Sequence, residues 1–189
     1  MNYTPAGELR RQEFEDALLV LMGRMPYSKI SVKDLAAQAH YVHKTFYHYY
    51  TDKQACLEAL ADRLILEGNL HVGSRLPDGA PLRDRCRCQL EFWIGHRDFL
   101  TAISRNGMSS FLVERFLIVR KKETDAKRPN PYAPFAGCDG DILFCYLSGQ
   151  ICLLLKWCDE GFPHSIDEMC DKYMQTLYRP LLPAEPCKS

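Results

Sequence analysis

Residues 31–53, SVKDLAAQAHYVHKTFYHYYTDK, decide the fold. Ser31 can cap a helix that has Asp34 at its third position. Val32, Leu35, Ala36 and Ala39 then fall at helical spacing and make one apolar face about two turns long. After His40 and Tyr41, a second short segment from Val42 to His48 packs donors, cations and aromatics into two turns. Phe46 is its one obvious core anchor. Thr51 and Gln54 read as a Thr-x-x-Gln capping box, which predicts a further helix from Asp52. A short helix, a tight turn and a polar second helix make a helix-turn-helix, whose second helix enters the major groove of DNA.

The stretch resembles the DNA-binding motif of the TetR family of bacterial transcriptional regulators. In that pattern a helix ending in Ile/Leu-Ala leads through a turn to Thr-hydrophobic-Tyr-x-Tyr/His-Phe and then Lys-Glu. Leu35-Ala36, Thr45-Phe46-Tyr47-His48-Tyr49-Tyr50 and Lys53-Gln54 fill those places, in a register running from Phe14 to Leu57. One place departs. The family usually has Gly after the Ala matched by Ala39, and here His40 stands there. Gly reaches positive φ freely and His only occasionally, so a strained or reshaped turn is expected.

His43, Lys44 and Thr45 open the second helix, the end that meets base edges and phosphates in this geometry. Lys44 and Thr45 suit phosphates. Val42 suits a thymine methyl and His43 a hydrogen bond to a base. Lys53, at the start of the next helix, joins free N–H groups and a positive dipole end, a phosphate site, and Lys33 repeats this one helix earlier. The resemblance implies that Tyr47 donates to a phosphate. Ser31 and His48 complete the expected DNA-facing set. Tyr49 and Tyr50 divide between groove rim and core, and their sequence does not separate them.

Composition bounds the alternatives. The chain has 189 residues, 47% of them hydrophobic, with 24 basic and 24 acidic side chains. No apolar run approaches the roughly 20 residues that span a bilayer, and MNYTPAGELRRQ lacks a signal-peptide core. A cytoplasmic protein without membrane contact is expected. Between Lys29 and Lys53, four lysines and three histidines face only Asp34 and Asp52. A modest basic patch on a neutral protein suits a regulator that seeks one site rather than coating DNA. The nine cysteines form no Cys-x-x-Cys pair and no zinc-finger spacing, so they read as small buried hydrophobes, with no metal or cofactor expected and redox or thiophilic-metal sensing as the alternative reading. Cys86, Cys88 and Cys138 are the ones whose helix and loop read as accessible. P-loop, Gly-x-Gly-x-x-Gly and Gly-x-Ser-x-Gly motifs are missing, and an enzyme is not expected.

Outward from the motif, the pattern predicts an all-α chain. Phe14, Ala17, Leu18 and Leu21 mark a first helix from about Glu8 to Arg24, which Pro26 ends. A helix from Asp52 to about His71 connects the head, residues 1–71, to a helical body, residues 72–189. The Gly- and Pro-rich stretch from Val72 to Pro81 marks the boundary. Helices follow from Leu82 to about Gly95, at Arg97–Arg105 and from Met108 to about Lys127, then a proline-rich loop over 128–138. Asp139 to about Asp159 is apolar on nearly every side, and such a helix must be buried all round. A second subunit is the expected cover, with Ser148 and Gly149 letting a helix come close. Ser165 and Glu168 box the start of a final helix striped by Ile166, Met169, Cys170, Tyr173, Met174 and Leu177, and stopped by Pro180. Leu143, Tyr146, Leu147, Leu154, Tyr173 and Leu177 are the expected dimer contacts, since the family commonly dimerises through its last two helices. Phe92, Trp93, Phe99, Met108, Phe111 and Phe116 could line a sensor cavity of the family's type but read more simply as core.

The resemblance implies an effector-responsive repressor, a homodimer that grips a pseudo-palindromic double-stranded DNA operator and lets go when a small molecule binds the body. The rival is a coregulator with the same body that acts on another protein without an operator of its own. His40 and the zero net charge keep that rival in play.

Overall fold

Local signals start most of the helices where the sequence places them. The computed structural model describes residues 5–77, 79–126 and 140–178. Among these, nine α-helices follow one another without a strand: α1 Pro5–Arg24, α2 Val32–Gln38, α3 His43–Phe46, α4 Lys53–Arg75, α5 Leu82–Gly95, α6 Arg97–Arg105, α7 Ser109–Asp125, α8 Gly140–Asp159 and α9 Ile166–Tyr173. A 3₁₀ turn at Tyr27–Lys29 joins α1 to α2, and α9 runs on into a π-helical segment at Met174–Tyr178. The proline-rich loop over 128–138, Pro180, Cys138 and Cys187 lie outside the described residues.

Both serine boxes form. Ser31 Oγ accepts from the Asp34 N–H and Asp34 Oδ2 accepts from the Ser31 N–H; Ser165 and Glu168 repeat the pattern. The Ser31 hydroxyl and N–H hold the Asp34 carboxyl below its ordinary range. The Thr51–Gln54 box does not form. Asp52 caps α4 instead, its Oδ1 accepting from the Ala55 N–H at 2.8 Å. A carboxylate at the dipole's positive end is the stronger cap, and it sits one residue closer to the helix. Gln54 is left free to accept from the Tyr27 hydroxyl at 3.1 Å.

His40 takes the left-handed conformation at φ 59°. The turn therefore keeps the shape that glycine would give it, and the Tyr41 N–H reaches back to the Ala36 carbonyl at 2.8 Å. Holding a β-carbon there costs about 1–2 kcal/mol, of which glycine's greater unfolded freedom would cancel part. His40→Gly should thus raise stability by about 0.5–1 kcal/mol, read as a higher urea midpoint at unchanged slope.

The head closes on Phe14 of α1. Its ring lies 5.3 Å from those of Tyr41 and Phe46 and 6.0 Å from Tyr49. α4 carries the head into the body. Its apolar side buries Cys56, Leu57, Leu60, Leu64 and Ile65. It runs four residues past the expected end at His71, so the linker begins at Leu76. α5 can press close to it because Gly68 has no side chain: a β-carbon there would stand 3.1 Å from the Phe92 ring. Arg115 of α7 donates to both carboxylate oxygens of Asp62 on α4, at 2.9 and 2.7 Å. One buried core extends from Phe14 to Tyr173.

The last helices place four of the six expected dimer contacts in the core of the single chain. Tyr146, Leu147, Leu154 and Tyr173 are buried within a single chain, and Leu177 packs against the same core. The α8 side chains are covered by α6, α7 and the π-helical segment of their own chain. Gly149 serves that arrangement too, since a β-carbon on it would come within 2.8 Å of Leu177. The side chain of Leu143 lies outside the description. α8 is consequently not buried all round. Ile142, Phe144, Cys145 and Cys152 are exposed on it, with Phe144 at 51%. Accessibility of the thiols is reversed as well: Cys86 and Cys88 are buried, and Cys145 and Cys152 are open.

Candidate nucleic-acid interface

α3 is a single turn, so its aim depends on what anchors it. Phe46 is fully buried against Phe14, with its ring edge-on to Tyr47 at 5.6 Å. This anchor turns the rest of the segment outward. Val42 is 71% exposed, Tyr47 is 52% exposed, and His43, Lys44 and His48 are open to solvent. Thr45 is half-buried. The Tyr47 ring stands edge-on to His43 at 5.2 Å, which braces both side chains on one surface.

Tyr49 and Tyr50 now separate. Tyr50 is buried, and its hydroxyl donates to Glu15 Oε1 at 2.7 Å. Burial and that carboxylate push the Tyr50 phenol well above its ordinary range. Tyr49 is half-buried at the rim, accepting from Arg10 Nη1 at 3.4 Å, with the Arg11 guanidinium over its ring.

Three expected contacts sit differently from the rest. The Ser31 hydroxyl is committed to its capping box. Lys33 is exposed on α2. Lys53 is drawn inward: Nζ donates to the carbonyls of Tyr27 and Ile30 at 2.8 Å each and lies 4.5 Å from the Tyr27 ring centre. The 3₁₀ turn presents those carbonyls to the start of α4, and an ammonium meets them more readily than it meets water. Lys53 therefore locks the head together.

Two positions had no signal in the sequence. Asn106, between α6 and α7, accepts the Tyr27 N–H at 2.7 Å and donates to Ala102 O at 2.8 Å. With Lys53 on the other side, Tyr27 becomes the joint between head and body. Burial, and secondarily Asp52, pushes its phenol up to about 12. Glu15 is the other, a carboxylate at 3% exposure holding Tyr50 and Arg63.

The model of the family described as bacterial regulatory proteins, tetR family, matches residues 16–60, from α1 into α4. No curated protein matches the chain by sequence. Among solved structures, the fatty acid degradation regulator FadR from Bacillus halodurans shares 13% identity at a TM-score of 0.57, over 94% of this chain and 96% of that one. A tetR-family transcriptional regulator from Streptomyces coelicolor shares 19% identity at 0.52, over 100% and 93%. A TetR-family transcriptional regulator from Haemophilus influenzae shares 19% at 0.53, over 93% and 98%. These likenesses are of fold, and they extend it through the body. Residues 16–60 thus match the tetR-family model at the helix-turn-helix, and the chain as a whole shares the fold of these regulators.

Proposed function

We propose that this protein is an effector-responsive transcriptional repressor that binds a pseudo-palindromic operator as a homodimer. The observation that carries this reading is the outward edge of Val42, His43, Lys44 and Tyr47 on a single turn pinned by buried Phe46. Val42 and His43 address bases, and Lys44 and Tyr47 address phosphates. Lys33 and His48 add contacts at the flanks. Two such heads at successive turns of the duplex require two chains. The exposed apolar residues of α8 support that pairing. Phe144, Ser148 and Cys152 also line, with Val113 and Leu117 of α7, an open groove of about 240 Å³.

The body accounts for release. Its interior void beside Trp93, Gln150 and Tyr173 holds about 10 Å³, room for no more than a water molecule. A small-molecule effector that enters there has to part helices of the body. That displacement reaches the head through α4 and through the Asn106–Tyr27–Lys53 joint.

Fluorescence anisotropy on DNA from the protein's own upstream region tests the reading. Lys44→Ala should weaken every sequence about equally and lower the slope of log affinity against log salt by about one unit. His43→Ala should cost about 1–3 kcal/mol on the cognate site and relax preference at one position per half-site. If both variants fold and bind as the natural protein does, the head does not read DNA this way. The withdrawal of Lys53 and the zero net charge favour one second reading, a coregulator acting on another protein, and that result would bring it forward.

A further inference from the structure

The junction of α4 and α5 holds a group of side chains that DNA recognition does not use. His71 lies near the end of α4, and Cys88 and Glu91 stand three residues apart on one face of α5. An imidazole nitrogen, a thiol sulfur and a carboxylate oxygen come within 4.8 Å of one another there. Cys88 is buried and Glu91 is open to solvent. Nε2 of His71 is buried and has no hydrogen-bond partner among the described residues. A buried nitrogen left in that state calls for a reason. The Phe92 ring, 5.6 Å from the imidazole, fills the neighbouring space.

We propose that His71, Cys88 and Glu91 hold one thiophilic divalent metal ion of the zinc type between α4 and α5. One sulfur, one imidazole nitrogen and one carboxylate make a mixed donor set suited to such an ion, with a fourth position left for water. A tetrahedral ion with bonds of about 2.0–2.3 Å sets its ligand atoms about 3.5 Å apart. The donors must therefore close by about 1 Å, which the exposed side chain of Glu91 allows. Binding forms a sulfur–metal bond and sends the Cys88 thiol proton to solvent. It also takes Glu91 from Arg75, whose guanidinium stands 3.7 Å away and is largely exposed. Thiolate and carboxylate together neutralise a dication. Sequence spacing conceals the set, because one ligand is on α4 and two are on α5.

The site ties α4 to the body at the end opposite α3. Resting on the repressor reading above, this makes the metal ion the effector: its occupancy fixes how α4 leaves the body and so how the head is aimed.

Cobalt(II) titration of the metal-free full chain tests the site. The natural protein should show a thiolate-to-cobalt charge-transfer band in the near ultraviolet, saturating at one ion per chain. Cys88→Ser should abolish the band. Glu91→Gln, at an exposed position that leaves the fold alone, should weaken cobalt binding by at least the roughly 10–100-fold that loss of an outer-shell partner costs. The double variant Cys145→Ser, Cys152→Ser should keep the band, since those thiols are exposed elsewhere on α8. A band that is absent from the natural protein, survives Cys88→Ser or vanishes in the double variant overturns the site. Zinc should also change operator affinity at least tenfold in the natural protein and leave Cys88→Ser unmoved. A cobalt band without that change would remove the regulatory role and keep the site. Failure of every variant to bind DNA would overturn the repressor reading instead.

Discussion

Leu147→Asp should unfold the protomer, whereas Phe144→Asp should leave it folded and shift the protein from dimer to monomer. Leu147 is 1% exposed, packed in its own chain's core. Removing its side chain from that core forfeits about 1.5–3 kcal/mol of burial. An unpaired carboxylate in its place adds several kcal/mol more. The sum is comparable to the whole stability of a domain, about 5–15 kcal/mol. Phe144 is half-exposed in the single chain, so a charge there meets water until a second subunit covers it. Thermal melts by circular dichroism and sedimentation velocity at micromolar concentration separate the two outcomes. If Leu147→Asp sediments as a folded monomer, α8 packs against a partner at Leu147 and not against its own core. If the natural protein is itself a monomer, the homodimer fails with it.

The contrast between those residues shows what the sequence of α8 left undecided. Its all-round apolarity is real, but it says only that the helix needs cover. Three elements of the same chain supply most of that cover, and which side remains open depends on where α6, α7 and the segment after α9 lie. The serine boxes at Ser31 and Ser165 were legible because each closes over three residues. The helices Leu82–Gly95 and Arg97–Arg105 were legible closely because Pro81 and the Gly95–His96 break punctuate them locally. Phe46 as anchor and Val42, His43 and Lys44 as its outward edge follow from the period of one short segment. The inward hydrogen bonds of Lys53 did not follow. Its partners are carbonyls 26 and 23 residues earlier, and nothing in a lysine at a helix start tells a phosphate from a carbonyl. The His71, Cys88 and Glu91 group was illegible for the same reason, since it exists only once α4 and α5 touch.

Glu15→Ala should cost about 3 kcal/mol at neutral pH and loosen the head in particular. Glu15 is almost fully buried and receives two donors, the Tyr50 hydroxyl at 2.7 Å and Arg63 Nε at 2.5 Å. Breaking a buried pair from one side costs about 3–5 kcal/mol. The lower figure applies because Arg63 is partly exposed and keeps Asp16 and Glu67, at 3.1 and 3.4 Å. The Tyr50 hydroxyl keeps only the Arg11 carbonyl, at 3.5 Å, and Tyr50 closes the segment that begins at α3, so operator affinity should fall together with stability. The pH dependence has a definite sign. Burial raises the Glu15 carboxyl above its ordinary value, with Tyr50 and then Arg63 opposing it. The folded state then binds the proton more tightly than the unfolded state. Glu15's contribution is fully present below the unfolded value, near 4.3, and declines as pH rises through the folded one. Glu15→Gln cannot ionise and removes that decline. Urea midpoints of the natural protein and Glu15→Gln, followed from pH 4 to 7, should therefore shift in favour of the variant as pH rises. A difference that moves toward the natural protein instead would mean that Arg63 and Tyr50 outweigh desolvation, and that the ion pair, not the shape of the pocket, sets the aim of α3.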